Sequence, residues 1–303
     1  MSIIFHTLLC ALSLQLLFDC CAAYGATIRP PIPVSPKCVY FTGAGIYYYW
    51  QAGAAKYLQE TCDMSKLPVI GASAGSLTAT LLLSGADFED ATSVAARLAK
   101  EKGVFESKTG LVGGWSNLVR DWLEEVIPLN VPMRNFRNLQ IAVTPIFPTQ
   151  RSELVSDFAD RADLIDACMA SCHVPFILDS KPYTYYRGRP TIDGSFYYFL
   201  TKDRCTGLPI PDICEGSCDD IFWVDYGDDE VFMRDISGHF MQIITPEGAY
   251  DMIRSGYNFM LREHVERRLP IADIKEPTLS NIVAKIKTIP KKMARGRLIQ
   301  VYD

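Results

Sequence analysis

Short apolar runs alternate along the chain with longer stretches in which apolar residues recur at helical spacing. The runs 38–42, 69–72, 138–146 and 221–226 are typical of buried strands. Helical spacing covers residues 47–60, 88–102, 110–128 and 152–171. Strands that alternate with helices indicate an α/β fold. The 303 residues, with 49% hydrophobic content, are enough to bury one such domain.

The stretch 110–128 is amphipathic and carries the aromatic anchors Trp115 and Trp122. This pattern favours a helix whose apolar face is turned toward the core. A lid or an interfacial helix is the alternative interpretation.

The chain begins with an apolar segment, residues 3–18, which is followed by small residues up to residue 26. Its length fits a secretory signal peptide better than a membrane-spanning helix, with cleavage after about Ala23 or Ala26. No Lys or Arg precedes the apolar segment, so a retained membrane anchor and an organelle-targeting leader remain alternatives. We expect residues 1–26 to be a signal peptide or membrane leader, and the protein to be secreted or to lie in the endomembrane lumen.

Composition divides the rest of the chain into three segments. Residues 27–36 are a Pro-rich linker, residues 37–270 form the predicted domain, and residues 271–303 are a variable basic tail. The tail has no acidic residue between Lys285 and Asp303, which suits contact with an anionic membrane, although a solvated chain end is the commoner meaning of such a cluster. The net charge of −5 gives no reason to expect a nucleic-acid partner.

Ten cysteines are present, and seven remain once those of the leader are set aside. An odd number cannot pair completely within one chain. Cys205, Cys214 and Cys218 lie in a loop rich in Gly, Pro and Asp, where we expect a disulfide if the chain meets an oxidising compartment. A zinc site is less favoured, because this loop offers three sulfurs and no nearby histidine. We expect neither a metal ion nor a cofactor.

The strongest chemical pattern surrounds Ser73. A short β-type run ends in Gly71-Ala72-Ser73-Ala74-Gly75, and a helix of small and apolar residues follows. Small neighbours permit the sharp strand-to-helix turn of a nucleophile elbow and leave room for an ester carbonyl. We therefore interpret Ser73 as a nucleophile, with Gly71 and Gly75 shaping its elbow. A glycine-rich turn made for packing is the alternative.

A second glycine loop, Gly43-Ala44-Gly45, follows the first predicted strand. It lacks the full pattern of a dinucleotide-binding or P-loop sequence, because Tyr47 and Tyr48 stand where a further glycine or a lysine is required. In a serine hydrolase, the successive N–H groups of such a loop bind the oxyanion of the tetrahedral intermediate.

Four blocks of the sequence together resemble the patatin-like phospholipase family. They are the glycine loop at residues 42–46 with the helix after it, the elbow at Ser73, the Ala-Ser-x-x-x-Pro segment at residues 170–175, and the Asp-Gly motif at residues 193–194. They occur in the family's order and cover residues 37–200. The resemblance implies a three-layer α/β/α fold with a mixed, mainly parallel central sheet.

The resemblance also implies a chemistry. Ser73 is the expected nucleophile and Asp193 the base of a Ser–Asp dyad, and the N–H groups of Gly43, Ala44 and Gly45 are the expected oxyanion donors. The implied activity is hydrolysis of fatty-acyl esters of phospholipid, galactolipid or acylglycerol through an acyl-enzyme. Membrane or lipid-droplet lipid is then the substrate, and no metal takes part.

This chain departs from the family pattern at several positions. Thr42 stands for the usual aspartate, Ala44 for the middle glycine, Tyr47 for a basic residue, and Ser195 for a glycine or alanine. Ala44 still provides an N–H. Losing the basic side chain argues against binding an anionic head group there and favours neutral acyl lipids.

Two other functions remain open. The first is a Ser–His–Asp esterase, whose chain order admits His239 or His264 as base. His239 is the preferred candidate, because we place His264 on a solvated helix face and expect His173 to pack near the site. The second is a catalytically weak lipid-binding protein, supported only by the altered glycine loop. The dyad is preferred because it accounts for four blocks at once and for the scarcity of histidine.

Overall fold

A computed structural model describes residues 36–106, 115–148, 150–236 and 243–266. Within them, seven strands form one mixed sheet. The strands are β1 Cys38–Phe41, β2 Val69–Ala72, β3 Leu139–Pro145, β4 Glu153–Val155, β5 Thr184–Tyr186, β6 Arg189–Ile192 and β7 Ile221–Val224. Six of them follow the order β5-β6-β3-β2-β1-β7, and β4 also pairs with β3. The central strands β3, β2, β1 and β7 are mutually parallel, and the remaining pairs are antiparallel.

Helices cover the sheet. They are α1 Tyr48–Thr61, α2 Ala74–Ser84, α3 Phe88–Glu101, α4 Trp115–Val126, α5 Arg161–Ser171, α6 Phe196–Thr201, α7 Arg204–Gly207, α8 Glu230–Asp235 and α9 Pro246–Val265. Alternate residues of the strands enter two different apolar clusters, as the alternation of side chains across a sheet requires. Val39 and Phe41 pack in the larger cluster with α1 to α5, whereas Cys38 and Tyr40 pack in a smaller one with Tyr198 of α6. The predicted three-layer α/β/α fold is confirmed.

The register of the strands brings the predicted site residues to one edge of the sheet. In the parallel pairs Phe41 lies opposite Gly71, and Ala72 lies opposite Ala142, so the loops after β1 and β2 leave the sheet side by side. The antiparallel strand β6 joins the same edge, where Ile192 pairs with Thr144. Residues that follow these strands therefore meet although they are far apart in sequence.

The α1 and α9 helices cross in unusually close contact. A Cβ atom on Gly53 would lie 1.8 Å from the carbonyl oxygen of Ile253, and one on Gly256 would lie 1.9 Å from that of Trp50. Only glycine allows the two backbones to approach so closely. At the end of α9, Nδ1 of half-buried His264 is 2.5 Å from the hydroxyl oxygen of Tyr57, so our placement of His264 on a solvated face was wrong.

The predicted helix at residues 152–171 is correct only in its second part. Glu153–Val155 instead forms β4, which pairs antiparallel with β3, and α5 begins at Arg161. The β3 strand has a free edge at this point, and pairing there satisfies backbone groups of both strands. The amphipathic stretch at 110–128 contains α4, whose apolar face is buried as predicted. No helix among the described residues is both long and apolar enough for a membrane span.

Candidate active site

Ser73 occupies the turn between β2 and α2 with a strained backbone. Its φ of 53° and ψ of −129° are rare for a residue with a side chain, and its side chain is almost fully buried. The carbonyl of Ser73 accepts hydrogen bonds from the N–H of Ser76, at 2.8 Å, and from the Ser76 hydroxyl, at 2.7 Å. The serine thus stands at the positive end of the α2 dipole, in the geometry of a nucleophile elbow.

Gly71 and Gly75 make this turn sterically possible. A Cβ on Gly71 would lie 2.4 Å from the carbonyl oxygen of Gly75, and a Cβ on Gly75 would lie 2.2 Å from that of Phe41. The elbow therefore folds back on itself and against β1 without space for either side chain.

Asp193 follows β6 and is buried, with only 1% of its surface exposed. Its Oδ1 accepts a hydrogen bond of 2.7 Å from the N–H of Ser195, whereas its Oδ2 is buried and has no hydrogen-bond partner among the described residues. Its backbone is fixed on both sides: the N–H donates to the carbonyl of His173 at 2.9 Å, and the carbonyl accepts from the Thr144 hydroxyl at 2.9 Å. One carboxylate oxygen is thus held in place and the other is available.

Burial raises the pKa of Asp193 to about 7, because the charged form loses its hydration. The nearby Ser73 hydroxyl and the Ser195 N–H oppose this rise, since both stabilise the carboxylate. Interaction with the Ser73 hydroxyl places the two predicted dyad residues next to each other. A carboxyl group with a pKa near neutrality is well matched to accepting and returning a proton.

Ser171, the last residue of α5, links the two halves of the site. Its hydroxyl accepts a hydrogen bond from the N–H of Ser73 at 2.9 Å and donates one to the carbonyl of Ala142 at 2.7 Å. Its carbonyl accepts a hydrogen bond from the N–H of Gly194 at 2.9 Å. Sequence reasoning placed Ser171 in a motif but gave it no role. One signal for a role of Ser171 was present in the sequence, namely a hydroxyl group among the apolar residues Ala170, Cys172 and Val174.

The loop predicted to bind an oxyanion lies against the same edge. Among the described residues, we find no acceptor for the N–H groups of Gly43, Ala44 and Gly45. A Cβ on Gly43 would lie 2.3 Å from Oγ of Ser195, so the loop packs directly on the residue that follows the Asp-Gly motif. Gly45, with a φ of 54°, lines the same cavity as Ser73.

Tyr47, which departs from the family pattern, has a structural role. Its ring is buried and packs on Tyr226, at a centroid distance of 4.6 Å, and against Phe232. It does not line the cavity. The Tyr47 side chain fills space in the core, where a basic side chain would lose its hydration.

A cavity of about 170 Å³ opens beside Ser73 and is bounded by α2, α3, α4 and the start of α9. Its wall is almost entirely apolar; among the lining residues are Leu77, Ala95, Ala99, Leu118, Val119, Trp122, Ile177 and Leu178. An apolar cleft with few polar groups suits the alkyl part of a ligand. Part of the buried face of α4 forms this wall.

The histidines differ in their relation to Ser73. The His173 ring is buried, with Nε2 at 3.2 Å from the Lys181 carbonyl oxygen and Nδ1 at 3.8 Å from Oδ1 of Asp179. Burial lowers its pKa. His173 contributes to the site through its carbonyl, which holds Asp193, as expected for a residue that packs nearby. His239 and His6 lie outside the described residues.

The described residues contain no group of three or more His, Cys, Asp or Glu side chains arranged to hold a metal ion. The buried carboxylates Asp225 and Asp229 are committed to other partners. Asp225 contacts Arg204 at 3.2 Å and accepts a hydrogen bond from Tyr198, and Asp229 accepts from Trp50 and Arg262. These groups stabilise the fold away from the Ser73 cavity.

Comparison with known proteins agrees with this geometry. The family model for patatin-like phospholipase matches residues 39–201. The chain is 27% identical to mouse omega-hydroxyceramide transacylase over 206 residues, 63% of this chain and 33% of the relative. The human protein of the same name is 28% identical over 173 residues, 54% of this chain and 31% of the relative. Human 1-acylglycerol-3-phosphate O-acyltransferase PNPLA3 is 28% identical over 162 residues, which are 51% of this chain and 32% of the relative.

The region of similarity spans about a third of the length of each of these relatives. The family model, in contrast, covers more than half of the 303 residues and includes both glycine loops, Ser73 and Asp193. The chain therefore belongs to the patatin-like phospholipase family, whose members act on the acyl groups of lipids.

Proposed function

We propose that this protein hydrolyses fatty-acyl esters of glycerolipids with Ser73 as nucleophile and Asp193 as general base. The observation that carries the proposal is the pairing of a strained, nearly buried serine with a buried carboxyl group whose Oδ2 has no hydrogen-bond partner in the described part of the chain. The pKa of Asp193, about 7, lets it take a proton near neutral pH.

In the acylation step, Oγ of Ser73 attacks the ester carbonyl carbon while its proton passes to Asp193. The tetrahedral oxyanion is stabilised by the N–H groups of the loop from Gly43 to Gly45 and by the positive end of α2. Collapse of the intermediate breaks the ester bond, and the leaving alcohol takes the proton from Asp193. The acyl group remains on Ser73 with its alkyl chain in the apolar cavity.

In the deacylation step, Asp193 accepts a proton from water, and the resulting hydroxide equivalent attacks the acyl-enzyme. The second tetrahedral intermediate uses the same oxyanion donors. Its collapse releases the fatty acid and returns the proton to Ser73, so one carboxyl group serves both half-reactions. No additional base is required.

Acyl transfer to a lipid alcohol is the second candidate function. It differs only in deacylation, where a lipid hydroxyl group replaces water. Two observations favour it: the apolar wall of the cavity, which disfavours water, and the names of the relatives, which are a transacylase and an acyltransferase. The acylation step on Ser73 and Asp193 is identical in the two reactions.

The burial of Tyr47 supports a preference for neutral acyl lipids, since no cation replaces the usual basic side chain at that point of the loop. Membrane or lipid-droplet lipid remains the proposed substrate source. The described residues include neither the leader nor the basic tail at residues 271–303, so both stay predictions. The secreted or lumenal location also stays a prediction.

The test measures fatty acid release and acyl transfer by the full chain, with chelator present, on phospholipid, galactolipid and triacylglycerol, with and without an added lipid alcohol. We expect Ser73→Ala and Asp193→Asn to lose activity at least 10³-fold. The variants His239→Ala and Asp90→Asn, an exposed aspartate on α3, are expected to stay near wild type. Circular dichroism checks that each variant folds.

Two results would overturn the proposal. Loss of activity in His239→Ala with activity retained in Asp193→Asn identifies a Ser–His–Asp esterase. A wild-type protein that binds the lipids but turns over none of them identifies a lipid-binding protein.

A further inference from the structure

Two cysteine thiols meet in the smaller apolar cluster, on the face of the sheet remote from the Ser73 cavity. Cys38 is the first residue of β1, and Cys214 ends a short 3-10 turn in the loop ahead of β7. Their Sγ atoms are 3.6 Å apart, and neither residue has exposed surface. This is van der Waals contact between two sulfurs that are 176 residues apart in sequence.

The backbone on both sides of this contact is fixed. Cys38 lies opposite Ile221 in the parallel pair of β1 and β7, and the N–H of Lys37 donates to the Asp220 carbonyl at 2.8 Å. On the other side, the disulfide between Cys205 and Cys218 closes the loop that contains Cys214. The pairing of β1 with β7 and the Cys205–Cys218 disulfide therefore hold the two sulfurs next to each other.

We propose that Cys38 and Cys214 form a second disulfide when the chain folds in an oxidising compartment. A disulfide needs a sulfur–sulfur distance of ~2.05 Å, and the remaining ~1.5 Å is within reach of small side-chain rotations. The two thiols are oxidised by a small-molecule disulfide such as glutathione disulfide. One S–S bond forms in the protein, the S–S bond of the oxidant breaks, and the two thiol protons end on two molecules of reduced glutathione.

This bond forms during folding, after β1 and β7 have paired and before both thiols are fully buried. Burial raises the pKa of both thiols, so the folded protein contains little of the thiolate that attacks a disulfide. The Cys205–Cys218 bond, which forms in the same loop, needs the same oxidising conditions. Once buried, the second bond is shielded from reductants.

The pairing leaves three of the seven cysteines outside the leader as thiols. After two disulfides, Cys62, Cys168 and Cys172 remain, and all three are buried in the larger cluster on the other face. The oxidised pairs thus share one side of the sheet, and the thiols of the described chain share the other.

The experiment refolds the full chain in a mixture of reduced glutathione and glutathione disulfide, blocks free thiols with N-ethylmaleimide in denaturant, and digests without reduction. Trypsin yields the peptides 38–56 and 205–234. We expect them as one species whose mass is their sum less four hydrogens, which corresponds to two disulfides. Further cleavage before Asp212 and after Glu215 separates the three cysteines of the second peptide and identifies the partner of Cys38.

The variants supply the second readout. Cys214→Ser is expected to leave Cys38 fully alkylated, whereas Cys62→Ser, a matched buried thiol, keeps the cross-link. The proposal is overturned if Cys38 and Cys214 are both alkylated in molecules whose Cys205–Cys218 bond is intact, or if Cys38 is bonded to Cys205 or Cys218. The wild-type digest decides this even where a variant fails to fold.

Discussion

The hydroxyl of Ser171 accepts the hydrogen bond that the N–H of Ser73 donates, at a distance of 2.9 Å. The carbonyl of Ser171 also accepts a hydrogen bond from the N–H of Gly194, the residue directly after Asp193. Ser171 is therefore a positioning residue that connects the proposed nucleophile with the proposed base. It fixes their relative position without taking part in bond making.

We expect Ser171→Ala to lower kcat by about 10- to 100-fold and to change KM by less than about threefold, because a small misplacement of Ser73 against Asp193 affects the reacting geometry more than binding. Steady-state kinetics with a soluble fatty-acyl ester measure the split. Ser76→Ala is the control: its hydroxyl also contacts the Ser73 elbow, but the Ser76 N–H donates to the same carbonyl. Equal loss in both variants would contradict the role of Ser171.

The pKa of Asp193 predicts the pH dependence of the reaction. The carboxyl group must be ionised to accept the proton of Ser73, and its pKa is about 7. We therefore expect kcat/KM to rise about tenfold per pH unit below that pH and to level off above it. Rates measured from pH 5 to pH 9 test this, with His239→Ala as the control that should give the same profile. A profile that is flat over this range in the wild type contradicts the assignment.

The same pKa predicts that Asp193 lowers the stability of the folded protein at neutral pH. Between a pH of about 4 and about 7, the Asp193 carboxyl is ionised in the unfolded chain but protonated in the folded protein, so the free energy of unfolding falls as the pH rises. Asp193→Asn removes this loss. We expect the variant to be more stable than wild type by up to about 4 kcal/mol above pH 7, and the difference to shrink toward pH 4.

Denaturant unfolding at several pH values measures this difference, with Asp90→Asn as the exposed control that should show no such trend. A constant difference between Asp193→Asn and wild type from pH 5 to pH 8 would show that Asp193 does not hold its proton in the folded state. Greater stability with lost activity is expected where a catalytic group is buried at a cost to folding.

Local patterns were sufficient to predict the four central strands β1, β2, β3 and β7 and the elbow. Gly71, Ser73 and Gly75 are close in sequence, and the turn depends on small residues and a following helix, which a single sequence displays. The contact between Ser73 and Asp193 was predicted only through resemblance. It depends on the pairing of Ile192 with Thr144 across two strands, and no short-range pattern encodes that register.

The errors share a physical cause, which is tertiary contact that overrides local pattern. The β4 strand arises because β3 offers an edge, although its sequence fits the start of a helix. His264 stands among charged residues but is drawn to the Tyr57 hydroxyl by the close crossing of α1 and α9. The hydrogen bonds of Ser171 could not be predicted, since they join three segments that are separated in sequence.

The α3 helix forms one wall of the cavity beside Ser73. Its side toward the cavity carries small side chains, Thr92, Ala95, Ala96 and Ala99. We expect Ala95→Phe to shorten the cavity and to lower kcat/KM for long-chain esters by at least about tenfold, while short-chain esters keep most of their rate, because only a long chain must enter the filled region. A series of esters from four to sixteen carbons measures this, with Ala95→Ser as the control of nearly unchanged volume. If Ala95→Phe slows all chain lengths equally while thermal unfolding stays near that of the wild type, the acyl chain does not lie along α3, and the cavity beside Ser73 has another occupant.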